Sequence, residues 1–158
     1  MTTIHVHFFY LLAILLVAAA VHVARMPDRT VEGGAEVALL YLLVGYCGIP
    51  MLAVSLWVLL SPKAAAHGFG FEASGPILAF FGYAYLGMSL LSLLALRYRQ
   101  TFLVAPVVVW AVYLGGATAV HLQGSGDNAF EIFASHGLIA VLLVVTLFLS
   151  GAWRRRLS

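Results

Sequence analysis

The fold is decided by one stretch, which reads PILAFFGYAYLGMSLLSLLAL (76–96), RYRQ (97–100) and TFLVAPVVVWAVYLGGATAVHL (101–122). Each apolar run is about as long as the 20 residues that a helix needs to cross a bilayer. Because the link between the runs is so short, we expect an antiparallel helical hairpin. Two arginines lie in the link, and the positive-inside rule places such a link in the cytoplasm. The hairpin therefore predicts the orientation of the whole chain.

The composition restricts the class of protein. Of the 158 residues, 63% are hydrophobic and only 9% are charged, whereas a soluble domain has about 25% charged residues. So few charges cannot cover a surface that faces water, and we predict a polytopic membrane protein with a single transmembrane domain over 1–158. The few basic residues lie at helix ends, which excludes a role in nucleic-acid binding.

The apolar pattern predicts an all-α bundle of five transmembrane helices, at about residues 4–24, 36–60, 76–96, 101–122 and 137–153. With the hairpin link inside, the N-terminus lies outside and the C-terminus lies in the cytoplasm. All seven arginines then face the cytoplasm and only the single lysine faces out, as the positive-inside rule requires. We expect the protein in the bacterial inner membrane, with the lipid bilayer and with other membrane subunits or further copies of itself as partners.

Two local features carry further expectations. Pro50 removes a backbone donor inside the second helix, so a kink is expected there. Ser61 followed by Pro62 predicts a short interfacial helix that begins in the first outer loop.

Small residues recur at every fourth position along both hairpin helices. Such residues let helix backbones approach closely in a membrane, so we expect the hairpin to form the tightest helix contact. The four-residue spacing places Gly75, Ala79 and Gly87, together with the larger Tyr83, in one helix, and Ala111, Gly115 and Ala119 in the other.

Histidines gather on the predicted outer face. They are His5 and His7 at the start of helix one, His121 at the end of helix four, and His136 in the second outer loop. Imidazole is a ligand for Zn and Cu, so these four are the candidate metal ligands. No HExxH motif or CxxC pair accompanies them, and the ordinary role of an interfacial histidine is the favoured alternative. His22 lies at the inner end of helix one, without a histidine partner on that side.

An acid–base site is the second hypothesis for the outer face. His121 with Glu131 or Glu72 is the candidate catalytic set, since a paired imidazole and carboxylate can move a proton in a lipid-soluble substrate such as a quinone. Glu131 and His136 are five residues apart and would diverge on a single helix. Glu36 begins the predicted second helix, where the helix N-terminus accounts for a carboxylate.

These observations favour a non-enzymatic function. We predict a small integral membrane protein that acts as an accessory or assembly subunit of a membrane complex, with an outer face that binds a metal (Zn or Cu), a lipid or a quinone. The alternative is a small membrane enzyme that uses outer-face His and Glu as acid and base. Convergence of His121 with those carboxylates beside an apolar cavity would favour the enzyme or the metal site.

Three motifs carry a resemblance to a known family: LYLLVG at 40–45, GYAYLG at 82–87 and GGATAVH at 115–121. From about Glu36 onward the chain resembles an uncharacterised bacterial family of small four-helix integral membrane proteins with a DoxX-like layout. The resemblance makes helix one an addition in front. It implies a histidine of the family at His121, and an acid and an amide where this chain has Phe80 and Tyr85. Because DoxX-like proteins are linked to quinone-coupled sulfur oxidation, it also implies a redox accessory role.

Overall fold

The computed structural model describes residues 3–69, 75–124 and 136–154, and every regular element in these ranges is helical. The all-α prediction is therefore confirmed over the described chain. The α-helices are α1 (Thr3–Ala24), α2 (Val31–Leu40), α3 (Ile49–Leu60), α4 (Pro62–Phe69), α5 (Gly75–Leu94), α6 (Val104–Gly124) and α7 (Leu138–Leu149). A π-helical segment, Tyr41–Gly48, joins α2 to α3, and a 3₁₀ turn, Gln100–Leu103, leads into α6.

Three helices of the described part are long and apolar enough to cross a membrane: Val31–Leu60, Gly75–Leu94 and Gln100–Val120. Shorter apolar helices are present at Phe9–Ala24 and Leu138–Leu149. Large apolar side chains are exposed on most of these helices. Since a surface of this kind is unfavourable in water, the architecture is consistent with a membrane protein.

The second helix begins at Val31 because Thr30 caps it. The Thr30 hydroxyl oxygen accepts a 3.1 Å hydrogen bond from the backbone N–H of Gly33, which satisfies one of the free donors of a helix N-terminus. The carboxylate in the first turn is therefore Glu32, and Glu36 lies further inside the helix than the sequence predicted.

The disruption expected at Pro50 takes the form of the π segment that precedes it. The N–H of Ile49 donates to the carbonyl of Val44, five residues back instead of four. Proline removes one N–H from the α-helical pattern, and the wider turns of the π segment lie in the part of the helix where that bond is missing. The chain remains helical from Val31 to Leu60.

The main core lies between α6, α7 and the continuous helix Val31–Leu60, which we call the long helix. Its fully buried members include Leu39, Leu43, Trp110, Ile139 and Leu143. A second, smaller cluster of Val58, Ala65 and Leu78 joins α3, α4 and α5. The short α4, predicted as an interfacial helix, is thus folded back against the two helices that flank it.

The expectation that the hairpin forms the tightest contact is wrong. The most extensive helix pair is α3 with α5, and α5 packs far less against α6. A side chain added at Gly87 or Gly115 would meet no described atom within 4 Å. A spacing of four residues places small residues on one helix face, but it does not determine which neighbour that face meets.

Most of the arginines lie at one end of the bundle. The end of α1, the start of α2, the hairpin link and the turn after α7 meet there. Arg99 in the link lies 3.8 Å from the Glu36 carboxylate, and Gly151 lies beside the carboxylate of Glu32. We call this the arginine end; its described arginines are Arg25, Arg29, Arg97, Arg99 and Arg154. Lys63, in α4, lies at the opposite end.

Candidate functional site

Most of the predicted outer-face site lies outside the described part of the structure. Glu72 and Glu131 are outside the described residues, and the side chains of His5, His7 and His121 are likewise not described. His136 begins the turn before α7 and is partly buried. Within residues 3–69, 75–124 and 136–154, no three His, Cys, Asp or Glu side chains come together as metal ligands. The metal and acid–base hypotheses at His121 therefore stay predictions.

The arginine end brings together two side chains that are far apart in the sequence. Nδ1 of His22 in α1 lies 3.4 Å from the hydroxyl oxygen of Tyr41, the first residue of the π segment. Their rings meet edge to face, with centroids 6.0 Å apart. Both groups can donate or accept hydrogen bonds, and at 3.4 Å the two atoms form a long hydrogen bond with each other.

Local interactions hold α1 and α2 side by side, so that this pair can form. The Arg29 guanidinium donates a 2.6 Å hydrogen bond to the Ala24 carbonyl and caps the end of α1. Thr30 then caps the start of α2. Further along, a side chain at Gly45 would lie 2.5 Å from Cδ2 of Leu15. Glycine at this position therefore lets the π segment approach helix one closely.

Two cavities adjoin at the His22–Tyr41 pair. One of about 440 Å³ reaches from the pair to the hairpin link and is lined by Leu15, His22, Val37, Leu40, Tyr41, Val44, Gly45, Ile49, Leu96 and Arg99. The other, of about 670 Å³, extends toward the end of α1 and is lined by Ala18, Val21, His22, Arg25, Met26, Pro27 and Tyr41. Because His22 and Tyr41 line both cavities, we refer to the two together as the His22 groove.

The groove has an apolar wall and a polar end. Its wall consists of aliphatic side chains from α1, α2 and the π segment. His22, Tyr41, Arg25 and Arg99 supply hydrogen-bonding groups and positive charge. Such a lining of mostly apolar groups with a few placed polar ones is typical of sites for small molecules, and its amphipathic form suits a ligand with a polar head and an apolar tail.

An ion pair borders the groove. The Nη1 atom of Arg99 lies 3.8 Å from Oε1 of Glu36, which is too long for a hydrogen bond. The Arg99 side chain is 53% exposed, whereas that of Glu36 is 15% exposed. Arg99 therefore presents a charged guanidinium at the mouth of the groove. It lies close enough to Glu36 for electrostatic attraction and remains accessible to a ligand.

The groove lies next to the eight-residue π segment, Tyr41–Gly48. Tyr41, Val44 and Gly45 in the groove all belong to it. π-helical turns are rare and occur frequently at functional sites. The segment thus supports the choice of the groove, independently of its shape and charge.

A second polar cluster lies between α5 and α6. The hydroxyls of Tyr85 and Tyr113 are 2.6 Å apart, and the indole N–H of Trp110 donates a 2.6 Å hydrogen bond to the Ser92 hydroxyl. Polar groups away from water need partners inside the protein. These bonds therefore account for the cluster as a link between the two helices, without a ligand.

Sequence reasoning missed the groove for identifiable reasons. It placed His22 at the inner end of helix one and assigned it no role. The predicted topology puts Arg99 at that end as well, so His22 and Arg99 together indicated a polar inner end. Tyr41 was harder to identify, because its neighbours are apolar and only Pro50, further along, indicates a π segment.

Comparison with known proteins gives one match. The sequence model of a family described as "Family of unknown function (DUF6790)" matches residues 5–156. No curated protein matches the chain. No solved structure matches it either.

Proposed function

We propose a function from the residues themselves, because the chain belongs to the DUF6790 family and the function of that family is unknown. The protein is a small integral membrane protein that holds a lipid-soluble molecule in the His22 groove. In this role it serves as an accessory or assembly subunit of a membrane complex. The observation that carries the proposal is the groove, in which an aliphatic wall ends at His22, Tyr41 and Arg99.

The proposed topology has five membrane spans in a bacterial inner membrane, with the N-terminus outside and the C-terminus in the cytoplasm. Three long apolar helices and two shorter ones support the number of spans. The gathering of five described arginines at one end, with Lys63 at the other, supports the orientation, since basic residues are retained on the cytoplasmic side.

The groove then lies at the inner edge of the hydrocarbon. Val31–Leu60 has 30 residues, which correspond to about 45 Å at 1.5 Å per residue, whereas the hydrocarbon core is about 30 Å thick. If the excess lies at the arginine end, about ten residues of the helix project from the core. Tyr41 is then at the boundary, with the charged groups on the water side and Val44 and Ile49 on the lipid side.

Binding suits the geometry better than turnover. Among the described residues that line the two cavities there is no carboxylate, serine, cysteine or lysine, whereas His22, Tyr41 and Arg99 are all suited to holding a polar head group. A polar head group beside the pair can form hydrogen bonds with both, because His22 has a second ring nitrogen and the Tyr41 hydroxyl can both donate and accept. This supports an accessory protein that retains its ligand over an enzyme that converts it.

Purification tests the proposal. The protein, extracted in a mild detergent, is expected to carry a lipid-soluble molecule that native mass spectrometry detects. Val44→Trp fills the groove and should remove that molecule, while Tyr83→Phe, at an exposed residue of α5 away from the groove, should retain it. An empty wild-type protein, or equal occupancy in both variants, would overturn the proposal.

A further inference from the structure

The charges around the His22 groove are unbalanced. The described part of the arginine end has five arginines, but only three carboxylates: Asp28, Glu32 and Glu36. Two of the arginines line the groove itself, Arg25 in one cavity and Arg99 in the other. The polar end of the groove is therefore electropositive and attracts an anion.

Arg99 is available to such an anion. Its 3.8 Å pairing with Glu36 provides attraction but no hydrogen bond. A guanidinium offers five N–H donors in a planar fork that matches the oxygens of a phosphate group. A phosphate at the mouth of the groove would therefore accept hydrogen bonds from the Arg99 guanidinium, in addition to the attraction between opposite charges.

The apolar wall continues from this charged mouth into the bilayer. On the lipid side of the boundary the lining residues of Val31–Leu60 run from Tyr41 to Ile49, which correspond to about 12 Å at 1.5 Å per residue. This is somewhat less than half of a hydrocarbon core of about 30 Å. A ligand with a phosphate head and a long alkyl chain fits this arrangement: the phosphate would lie at the charged mouth and the alkyl chain along the apolar wall.

We propose that the His22 groove binds a phospholipid with an anionic head group from the inner leaflet. Its phosphate lies beside Arg99, His22 and Tyr41, near Arg25, and one acyl chain follows the wall from Tyr41 to Ile49. This inference rests on the proposed function and names the class of ligand. The cytoplasmic leaflet is rich in anionic lipids, so the proposed orientation presents the groove to its ligand.

Glu36 competes with the lipid for Arg99. Removal of its charge leaves the guanidinium free for the phosphate, whereas removal of the Arg99 charge takes away the phosphate's main partner. The two substitutions are therefore expected to change lipid affinity in opposite directions. A general loss of folding would lower affinity in both variants.

The experiment measures lipid binding to the full-length protein in nanodiscs of equal parts phosphatidylglycerol and phosphatidylcholine, by native mass spectrometry after release. We expect wild type to retain phosphatidylglycerol preferentially. Arg99→Gln should weaken that preference about tenfold, the effect of losing a charge-assisted hydrogen bond, and Glu36→Gln should strengthen it. Arg97→Gln is the matched control, because Arg97 lies in the same link but lines neither cavity.

The outcomes separate this inference from the proposed function. Equal retention of both lipids, or retention of a quinone instead, with loss in Val44→Trp, would overturn the inference and leave the proposed function standing. Displacement of the phospholipid by inorganic phosphate alone would also overturn it, since the acyl chain would then contribute nothing. An equal effect of Arg97→Gln and Arg99→Gln would reduce the preference to general surface charge and contradict the site.

Discussion

The indole nitrogen of Trp110 in α6 donates a 2.6 Å hydrogen bond to the hydroxyl of Ser92 in α5, and both side chains are buried. The same hydroxyl donates to the carbonyl of Met88 in its own helix, at 3.1 Å. Ser92 therefore satisfies the one polar atom of the largest fully buried side chain in the described core. Such hydrogen bonds join the two hairpin helices, whereas their small residues do not pack against each other.

Ser92→Ala should destabilise the protein. It leaves the Trp110 N–H buried without an acceptor, which we expect to cost about 1–2 kcal/mol of the free energy of unfolding. Ser89→Ala is the matched control, because Ser89 is equally buried but its hydroxyl bonds to the Tyr85 carbonyl of its own helix. Thermal unfolding in detergent, followed by Trp fluorescence, compares the two. Equal destabilisation by both variants would contradict the role assigned to Ser92.

Tyr113→Phe should also loosen the hairpin. The Tyr85 and Tyr113 hydroxyls are 2.6 Å apart, and interhelical hydrogen bonds in membrane proteins contribute about 0.6 kcal/mol on average, with a maximum of about 1.7. We expect a loss within that range, seen as a lower midpoint of thermal unfolding. Tyr83→Phe removes a hydroxyl from an exposed ring of the same hairpin and should leave the midpoint unchanged.

Gly82→Ala should strain the contact between α3 and α5. The new methyl group would lie 2.8 Å from Cδ2 of Leu59 and 3.1 Å from Cγ1 of Val58, and overpacking of this kind typically costs about 1–3 kcal/mol. Gly87→Ala, on the same helix, meets no described atom within 4 Å, so it should leave stability unchanged or raise it slightly. Unfolding midpoints of the two variants test the difference. If Gly87→Ala were the more damaging change, the face of α5 that packs would be misassigned.

The proposed orientation predicts which loops a reagent can reach. Ala64→Cys lies in α4 at the end opposite the arginines, and Tyr98→Cys lies in the exposed hairpin link. A membrane-impermeant maleimide added to intact cells should label the first but label the second only after permeabilisation. The native Cys47 is buried, and the unsubstituted protein measures its background. Labelling of Tyr98→Cys in intact cells would contradict the proposed orientation and indicate the opposite one.

Elemental analysis tests the metal hypothesis at the opposite end. We expect no stoichiometric Zn or Cu in the purified protein, since interfacial histidines with one edge in water are the favoured explanation for His5, His7, His121 and His136. One equivalent of metal that disappears in His121→Ala would establish the site instead. Retention of that metal in the variant would move the ligand set away from His121.

The elements that sequence predicted well are those that hydrophobicity and charge determine directly. Apolar length predicted the helices of the hairpin, and the arginines predicted the end at which Arg99 would lie. The sequence did not predict which helix faces pack together. Gly82 and Gly87 look alike in the sequence, but of these two only Gly82 contacts α3. The His22–Tyr41 contact depends on how two helices meet across 19 residues of sequence, and neither residue type specifies such a partner.

The π segment also changes the rotational phase of the long helix. An α-helix turns by about 100° per residue, so each residue absorbed by a wider turn rotates everything beyond it relative to what came before. Leu39 and Leu43 lie in the main core, while Val58 on the same helix joins Ala65 and Leu78 in the second cluster. Deletion of one residue from Tyr41–Gly48 would turn α3 by roughly that angle. The segment thus sets the angle between the parts of this helix that enter the two cores.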